Sequence, residues 1–528
     1  MYNRFVQVKR VVNIFNFIRA IEPRIPSITT EVLLDTTSRQ IDLVNRHNLP
    51  ATFALQYDAL VDQRYQELLR GNLAPRCEIA AWWEIVQPLA EKSGIEWRGR
   101  FPWDWHADVG FSTGYTPDER ERLVDVYMAD FKEIFGCYPR TVGSWFIDTH
   151  SLAYMADRYA ITASCNCKDQ IGTDGYTLWG GYWNQGYYPS RRNAYLPAQE
   201  VSAQIPIPIF RMLGSDPIYQ YDSGLESRVQ GVITLEPTYS VGGGDPAWVD
   251  WFLGLVAEEP CLAFAYAQAG QENSFTWKRF GKSLTMQVER ISRLAQEGKI
   301  TVETMEQTGN WFRNRFEVTP ATAVTATDDW KGEGRKTVWY NSRFYRINLL
   351  WEHDDFRIRD IHLFDQDYAD PYLVEALRSS ACEYDAPPLV DGFNWSGSLC
   401  IAGIRAVDLA SNNRAIGVGY PEVYEGNPSE LVVSCDLTLG GRFEIRCTER
   451  DISFRFVDIP DLMRPALALT WDDGAPVPFR EIGRQSLNCI HKNFSYTVSC
   501  VAGRFESSDD KNKILMVPDD GVFRIRIA

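Results

Sequence analysis

The sequence lacks a long uninterrupted run of apolar residues. Met1 to Lys9 is polar and charged, and the apolar stretch that follows is broken by Asn13, Asn16 and Arg19. A secretory leader needs an unbroken apolar region and a cleavage site, and a membrane helix needs a longer apolar run still. We therefore expect neither a signal peptide nor a membrane span, and no membrane partner.

Positive charge is also scarce relative to negative charge. The chain has 70 acidic residues against 54 basic ones, which leaves a formal net charge of -16. Such a surface disfavours non-specific binding to nucleic acids and to anionic membrane surfaces. We expect no nucleic-acid partner, and a neutral or cationic substrate fits better.

The cysteines form no regular framework, and the sequence has no convincing internal repeat or low-complexity linker. There are eleven cysteines, an odd number, and the only close pair is Cys165-Asn166-Cys167. One C-x-C without a second pair is weak support for a zinc site. Reduced thiols in the cytoplasm are therefore expected, with no metal and no other cofactor.

Aromatic residues are abundant, with 17 Trp and 25 Tyr in 528 residues. Flat apolar rings with a polar edge suit the C–H faces of sugars, although most tryptophans in a chain of this size fill the core. Only aromatic residues clustered in loops therefore count toward a sugar site. Two such clusters are present, Phe101 to His106 and Trp179 to Asn184.

Short apolar runs alternate with amphipathic helices over the first half of the chain. One helix is predicted from its cap, because Thr116-Pro117 is followed by Glu119. Alternation of this kind favours a parallel sheet that closes, or nearly closes, as a barrel. The seven predicted strands are Val11–Phe17, Ala51–Gln56, Cys77–Trp82, Thr141–Ile147, Ile161–Cys165, Val232–Glu236 and Cys261–Tyr266.

Two intervals are too long for simple connections, namely Glu84–Tyr115 and Asn166–Ser227. Insertions of this length are usually functional loops, or they contain further elements. Beyond residue 270 the pattern becomes helical and then, from about Thr319, alternates with a period of two, which is typical of an antiparallel β-sandwich. We predict a barrel over residues 1–270, a helical connector over 271–318 and a sandwich over 319–528.

Two of the predicted strands resemble a known family. Ala51-Thr52-Phe53-Ala54-Leu55 and Cys77-Glu78-Ile79-Ala80 resemble the T-F-F and E-I-G runs on the second and third strands of polysaccharide deacetylases. The wider resemblance is to the glycoside hydrolase and deacetylase superfamily of seven-stranded β/α barrels, which includes alpha-mannosidase-like and family 57 glycosidase-like members. Over residues 10–270 the resemblance lies in the sequence pattern of strands and helices, and over the remainder it lies only in the predicted domain architecture.

The metal ligands implied by the deacetylase resemblance are missing. Those enzymes use an Asp from the first strand and an H-x-x-x-H pair after the third, and the paired positions here are Trp82 and Val86. The first strand offers no aspartate, and Cys261–Tyr266 lacks the late leucine-histidine motif. The histidine-aspartate pair of alpha-mannosidase-like enzymes has no counterpart either. The resemblance that remains is to the metal-free, family 57-like glycosidases.

That resemblance implies two carboxyl groups, one of them a nucleophile after the fourth strand. Such groups lie about 5 Å apart in retaining enzymes and roughly 6.5–9.5 Å apart in inverting ones. Asp148 follows the fourth strand and is the predicted nucleophile, although an Asp directly before a helix is equally typical of an N-cap. Glu236 closes an apolar run and is the predicted second acid, with a salt bridge to a loop arginine as the alternative.

Further residues are predicted to bind the sugar. Trp83, Trp145, Trp179 and Trp183 would stack on its rings, and Glu84, Asp104, His106, Lys168 and Asp169 would bind its hydroxyl groups. Several of them have an alternative, purely structural role. The tryptophans would fill the core, His106 would be hydrogen-bonded within an aromatic loop, and Lys168 and Asp169 would pair with each other. His150 lies in the first helical turn and is not predicted to take part.

The leading hypothesis is a cytoplasmic, metal-independent glycoside hydrolase that acts on an oligosaccharide or glycoside. Two alternatives stay open. One is a metal-dependent hydrolase similar to polysaccharide deacetylases, and the other is a non-catalytic sugar-binding protein on a hydrolase barrel.

Overall fold

A computed structural model describes residues 8–225, 227 and 229–527. The expectation that the chain has no signal peptide rests on Met1 to Lys9, and most of that segment lies outside the described residues. The first half contains strands β1 (Lys9–Ile18), β2 (Thr52–Leu55), β3 (Glu78–Trp82), β4 (Thr141–Gly143), β5 (Ala163–Asn166), β6 (Gln170–Thr173), β7 (Tyr176–Trp179), β8 (Gly186–Tyr187), β9 (Ile209–Arg211), β10 (Phe264–Ala269) and β11 (Thr301–Glu303). Its helices are α1 (Thr30–Arg46), α2 (Tyr57–Val61), α3 (Gln63–Asn72), α4 (Gln87–Lys92), α5 (Pro117–Phe135), α6 (Thr149–Tyr159), α7 (Pro246–Glu258), α8 (Trp277–Gln296) and α9 (Met305–Arg315).

Seven parallel strands form the barrel. Their spatial order is β10-β1-β2-β3-β4-β5-β9, and every neighbouring pair is parallel. β8 pairs antiparallel with β9, and β11 pairs parallel with β1 on the edge opposite to β10. β9 and β10 do not pair among the described residues, so the barrel is nearly closed. The predicted seven-stranded β/α barrel is confirmed.

Two of the seven strands lie elsewhere than predicted. The sixth is Ile209–Arg211 and not Val232–Glu236, which makes only isolated bridges through Thr234. Pro206 and Pro208 directly precede the observed sixth strand. Because proline has no N–H to donate within a sheet, the sequence around these prolines does not predict a strand. The seventh strand is Phe264–Ala269, three residues beyond the predicted Cys261–Tyr266.

The helix start that the sequence predicts at Thr116 is confirmed. Thr116 and Glu119 form a reciprocal capping box at the start of α5, and Gly136 ends that helix with φ 81°. Asp245 caps α7 by accepting a hydrogen bond from the backbone N–H of Ala247 at 2.8 Å. These local signals were sufficient because a cap depends only on residues within one turn.

The second half is an antiparallel β-sandwich, as predicted. The strands of this half are β12 (Thr322–Ala326), β13 (Arg335–Asn341), β14 (Tyr345–Glu352), β15 (Asp355–Leu363), β16 (Cys382–Asp385), β17 (Pro388–Asp391), β18 (Gly403–Asp408), β19 (Arg414–Ala415), β20 (Glu422–Asn427), β21 (Glu430–Asp436), β22 (Arg442–Cys447), β23 (Asp451–Val457), β24 (Pro465–Thr470), β25 (Phe479–Ile482), β26 (Ser486–His491), β27 (Phe494–Ala502), β28 (Arg504–Ser507), β29 (Lys513–Val517) and β30 (Val522–Arg526). All of them except β16 belong to the two sheets of the sandwich. One sheet has the order β12-β13-β14-β15-β18-β24-β29-β28, with β17 beside β15 and β19 beside β18, and the other has the order β20-β21-β22-β23-β30-β27-β26-β25.

The two halves are joined through side chains and through main chain. Inside the sandwich the facing sheets meet at contacts such as Phe356–Phe443, with ring centroids 5.8 Å apart. The outer face of the first sheet packs on the barrel insertion, where Trp183 stacks on Trp339 at 3.7 Å. β16 pairs parallel with β7 of the same insertion. No helix among the described residues is both long and apolar enough to cross a bilayer.

Candidate active site

A cavity of about 530 Å³ opens at the carboxyl end of the barrel strands. Parallel strands deliver the residues that follow them to one rim, which is where α/β folds usually bind ligands. The side chains that follow five of these strands line this cavity: Arg19 after β1, Glu84 after β3, Trp145 after β4, Lys168 after β5 and Glu272 after β10. Glu236, in the segment beside β9, lines it as well.

Arg19 holds two carboxylates at the cavity floor. Its Nη2 lies 2.8 Å from Oε1 of Glu84, and its Nη1 lies 2.9 Å from Oε1 of Glu272. Gln56 donates a further hydrogen bond of 2.5 Å to Oε2 of Glu84. Burial alone would lower the pKa of Arg19, but the two carboxylates outweigh it and raise that pKa. Both oxygens of Glu84 are thereby occupied.

Glu236 is a buried carboxyl group without a cationic partner among the described residues. It is 5% exposed, and its Oε1 accepts hydrogen bonds from Gln271 at 3.1 Å and from the Thr238 hydroxyl at 3.3 Å. Burial raises its pKa to about 7, and the nearby charge of Glu272 adds to the shift. The predicted alternative, a salt bridge to a loop arginine, is not formed with any described residue.

Glu272 and Glu236 each keep one oxygen available to a ligand. Oε1 of Glu272 accepts hydrogen bonds from Arg19 and the Ser274 hydroxyl. Across residues 8–225, 227 and 229–527, Oε2 of Glu272 and Oε2 of Glu236 accept no hydrogen bond, and neither atom is sealed from solvent. Burial raises the pKa of Glu272, while Arg19 opposes that shift.

Lys168 is completely buried. The alternative considered for it, an ion pair with the Asp169 carboxylate, is not formed. Its Nζ donates a hydrogen bond of 3.1 Å to the backbone carbonyl of Asp169. The Asp169 carboxylate instead accepts from Tyr195 at 2.7 Å and from Arg211 at 2.5 Å, and it also binds Arg346. Asp169 therefore connects the barrel to the sandwich and does not line the cavity, whereas Lys168 does.

Asp148 does not line the cavity. Its Oδ1 accepts hydrogen bonds from the backbone N–H of Ser151 at 2.9 Å and from Arg120 at 3.0 Å, and its Oδ2 accepts from the Ser112 hydroxyl at 2.5 Å. Burial would raise the pKa of this carboxyl, but Arg120 and Ser112 outweigh it and lower it. These contacts are those of the N-cap of α6.

The remaining predicted residues divide between the cavity and the core. Glu84, His106, Trp145 and Lys168 line the cavity together with Glu236. Asp104 lies behind the wall, where Arg100 binds both of its oxygens at 2.7 and 2.8 Å.

Only one of the four predicted stacking tryptophans reaches this cavity. Trp145 is partly exposed there, whereas Trp83 is buried and donates from its indole to Ser112 at 3.0 Å. Trp183 is buried against the sandwich, and Trp179 lines a separate cavity of about 690 Å³ near His362. The large apolar area of tryptophan favours burial, which agrees with the alternative that these tryptophans are core residues.

The aromatic wall comes instead from the loop after α4. Trp103 and Trp105 line the cavity, and the Arg19 guanidinium lies 4.1 Å from the Trp103 ring centroid. Arg24 lies over both rings, at 4.8 and 5.6 Å. The sequence analysis includes this loop cluster, but it predicts only Asp104 and His106 of the cluster as sugar-binding residues.

Arg19 and Glu272 were missed by the sequence reasoning. The predicted first strand ends at Phe17, one residue short of the observed Ile18, and Arg19 was noted only as a break in an apolar run. The predicted last strand ends at Tyr266, so Gln271 and Glu272 fell into the connector. The useful signal was the polar sequence that directly follows β10.

The cavity residues do not fit the divalent metal of the deacetylases. The two floor carboxylates, Glu84 and Glu272, are already bound by the Arg19 guanidinium. Trp82 and Val86 stand at the positions of the histidine pair, and both are buried. Among the described residues, no group of three His, Cys, Asp or Glu side chains is arranged to hold a metal ion.

Comparisons with known proteins identify the fold. No protein-family model matches the sequence, and no curated protein matches it significantly. A structure from Parabacteroides distasonis, provisionally assigned as a glycoside hydrolase/deacetylase, matches with a TM-score of 0.51 and 16% identity, over 73% of this chain and 91% of that one. The chain has a glycoside hydrolase/deacetylase-type fold. At this identity the match shows the fold alone.

Two further matches have lower scores. A provisionally assigned polysaccharide deacetylase from Mycobacterium smegmatis has a TM-score of 0.35 and 13% identity, over 59% of this chain and 93% of that one. A 4-alpha-glucanotransferase from Thermococcus litoralis has a TM-score of 0.29 and 9% identity, over 98% and 99% of the two chains. Scores at this level carry no argument about activity.

Proposed function

We propose that this protein is a metal-independent glycoside hydrolase for a neutral oligosaccharide or glycoside. One observation carries the proposal. Two buried carboxyl groups, Glu236 and Glu272, share an aromatic-walled cavity at the barrel rim, and each keeps one oxygen without a protein partner among the described residues. Paired carboxyl groups in different environments are what glycoside hydrolysis requires.

The two groups would take different roles. Glu236, with a pKa of about 7 and no cation beside it, would hold a proton near neutral pH and donate it to the glycosidic oxygen. Glu272, bound to Arg19, would act as the carboxylate that attacks the anomeric carbon or activates a water. In this proposal Glu272 takes the role first assigned to Asp148, and Asp148 caps a helix.

The other cavity residues would bind the sugar. Trp105 and Trp145 offer partly exposed aromatic surface, and Glu84 and His106 offer polar groups along the same wall. Such a mixture of apolar and polar groups is common in sites for uncharged ligands. Hydroxyl groups of a sugar can accept from Lys168.

A sugar-binding protein without catalysis is the second candidate. It is favoured by the Arg19 guanidinium, because a carboxylate that is already paired with a cation is a weaker nucleophile. In that case oligosaccharides would bind in the cavity without being cleaved.

The experiment is a hydrolysis assay with a broad panel of aryl glycosides and oligosaccharides. For an active substrate we expect Glu236→Gln and Glu272→Gln each to lower kcat/KM by about 10²-fold or more, the size of a lost acid–base or charge contribution. Glu289→Gln changes an exposed glutamate on α8 and serves as the matched control. Thermal unfolding of each variant reports whether it is folded.

Rescue by azide separates the two roles. If Glu272 is the nucleophile, azide added to Glu272→Ala restores turnover and gives a glycosyl azide of inverted anomeric configuration, whereas azide added to Glu236→Ala gives a glycosyl azide of retained configuration. Full activity of both Glu236→Gln and Glu272→Gln would refute the assignment. Binding of oligosaccharides without cleavage of any panel member would establish the second candidate.

The thiols suggest where the protein works. All eleven cysteines are free, and most are buried. We propose a reducing compartment such as the cytoplasm, because reduced thiols persist there.

A further inference from the structure

Lys168 is a buried amine that lines the cavity and has no acidic partner among the described residues. Its side chain has no exposed surface, and its Nζ makes one hydrogen bond, to the backbone carbonyl of Asp169 at 3.1 Å. No carboxylate among residues 8–225, 227 and 229–527 lies within 4.0 Å of it. Buried lysines are rare unless paired, so the position calls for an explanation beyond packing.

The other cations of the cavity wall are already committed. Arg19 binds Glu84 and Glu272, and Arg24 binds Glu22 with Nη2 and Oε2 2.5 Å apart. Of the lysine and arginine residues that line the cavity, Lys168 is the one that forms no ion pair within the described part of the chain. Apart from the hydrogen bond to the Asp169 carbonyl, its Nζ has no hydrogen-bond partner among the described residues.

The surroundings make the Lys168 amine easier to deprotonate than a solvated lysine. Burial lowers the pKa of Lys168, and this effect exceeds the opposing influence of Cys167 and Glu236. A desolvated lysine with a lowered pKa is the form in which lysine acts as a nucleophile. The nearby Glu236, which keeps its proton to about pH 7, is a proton donor in the same cavity.

We propose that Lys168 forms an imine with a neutral carbonyl compound that enters this cavity, such as the open-chain form of a reducing sugar. The Nζ lone pair forms a bond to the carbonyl carbon, and a proton passes from nitrogen to oxygen to give a carbinolamine. Glu236 then protonates the hydroxyl group, the C–O bond breaks and water leaves. The products are an iminium ion and the Glu236 carboxylate, so charge and atoms balance without a redox partner.

The charges on the wall argue against an anionic ligand as the partner of Lys168. The cavity is lined by Glu84, Asp174, Glu236 and Glu272 against Arg19, Arg24 and Lys168. Two of those three cations are already paired, and the whole chain carries a net charge of -16. A carboxylated or phosphorylated ligand would meet more negative than positive charge. A neutral carbonyl compound meets no such repulsion.

Reductive trapping tests the proposal on the full chain. The protein is incubated with a limiting amount of glycolaldehyde and sodium cyanoborohydride, and the modified lysines are identified by peptide mass spectrometry. We expect the adduct at Lys168 first and its loss in Lys168→Met. Lys278→Met changes an exposed lysine of α8 and is expected to leave the Lys168 adduct unchanged. Glu236→Gln is expected to slow formation of the adduct.

Site identification in the wild-type protein decides the question even if Lys168→Met fails to fold. Modification of surface lysines with none at Lys168 would overturn the proposal. Protection of Lys168 from acylating reagents by glucuronate or sulfate, with no aldehyde adduct, would overturn it too and make Lys168 an anion-binding ammonium. The proposal does not depend on glycoside hydrolysis, because the adduct is measured whether or not any glycoside is cleaved.

Discussion

Glu272 lies 2.9 Å from the guanidinium of Arg19, while Glu236 in the same cavity has only Gln271 and Thr238 as hydrogen-bond partners among the described residues. The difference matters because a paired carboxylate keeps its charge more readily than an unpaired one. Two carboxyl groups of one cavity are thus held in unequal environments. In the proposed mechanism Glu236 is the proton donor and Glu272 is the carboxylate.

Activity is predicted to fall as the pH rises through about 7. The pKa of Glu236 is raised to about 7, so its proton is present below that pH and lost above it. For a glycoside with a poor leaving group, kcat/KM should drop about tenfold per pH unit on the alkaline side. An activated aryl glycoside needs little protonation and serves as the control. Equal alkaline limbs for both substrates would remove Glu236 from the donor role.

Replacing Asp148 with Asn is predicted to destabilise the fold. The change leaves Arg120 buried without its charged partner, which typically costs about 3 kcal/mol of unfolding free energy. Denaturant unfolding measures this loss. Asp157→Asn breaks an exposed pair with Arg191 and should cost less than about 1 kcal/mol. An Asp148→Asn variant with unchanged stability and no activity would favour the original nucleophile hypothesis instead.

Glu78 is predicted to make stability depend on pH. It is buried at the start of β3, accepts hydrogen bonds from Thr52 at 2.9 Å and from the backbone N–H of Glu306 at 3.0 Å, and burial raises its pKa to about 7. The folded state therefore holds the proton more tightly than the unfolded state. Its contribution is complete below about pH 4.5 and is lost as the pH rises through about 7.

Glu78→Gln should flatten that dependence. Relative to the variant, the wild-type protein should lose about 3 kcal/mol of unfolding free energy between pH 4.5 and 7, since each pKa unit corresponds to about 1.4 kcal/mol. Denaturant titrations at several pH values give the comparison. Glu67→Gln, an exposed change on α3, should leave the curve unaltered. Parallel curves for wild type and Glu78→Gln would contradict the prediction.

Trp105 is predicted to contribute to sugar binding more than to stability. It lines the cavity, stacks on Phe101 at 5.9 Å and has Arg100 4.6 Å from its ring centroid. Trp105→Ala should weaken binding of the best oligosaccharide by about tenfold, since an aromatic contact contributes about 1 kcal/mol or more. Calorimetric titration measures it. Trp311→Ala, at the distant Lys9 contact, should leave the affinity unchanged.

Much of the fold could be predicted from the sequence because its signals are local. Alternating apolar runs and helix caps, such as Thr116 with Glu119, act within a few residues. The errors arose where local and tertiary signals disagree. Ile209–Arg211 is three residues long and follows two prolines, and only its neighbours β5 and β8 make it a strand. Such a segment has no periodicity of its own.

The site was less accessible to sequence reasoning because side-chain partners lie far apart in the chain. Asp148 has the same local sequence whether it caps a helix or attacks a substrate, and the contact that distinguishes the two, with Arg120, spans 28 residues. Glu236 could be selected because a carboxylate ends an apolar run. Glu272 could not, because it lies beyond a strand whose end was predicted three residues early, and its partner Arg19 is 253 residues away.

The parallel pairing of β7 with β16 has a mechanical consequence. A strand from residues 382–385 completes a small sheet begun by the barrel insertion at 170–179, so the two halves share continuous main-chain hydrogen bonds. Rotation of one half against the other would break that ladder. The ladder therefore opposes a hinge between the halves and favours one fixed orientation of the sandwich against the barrel insertion.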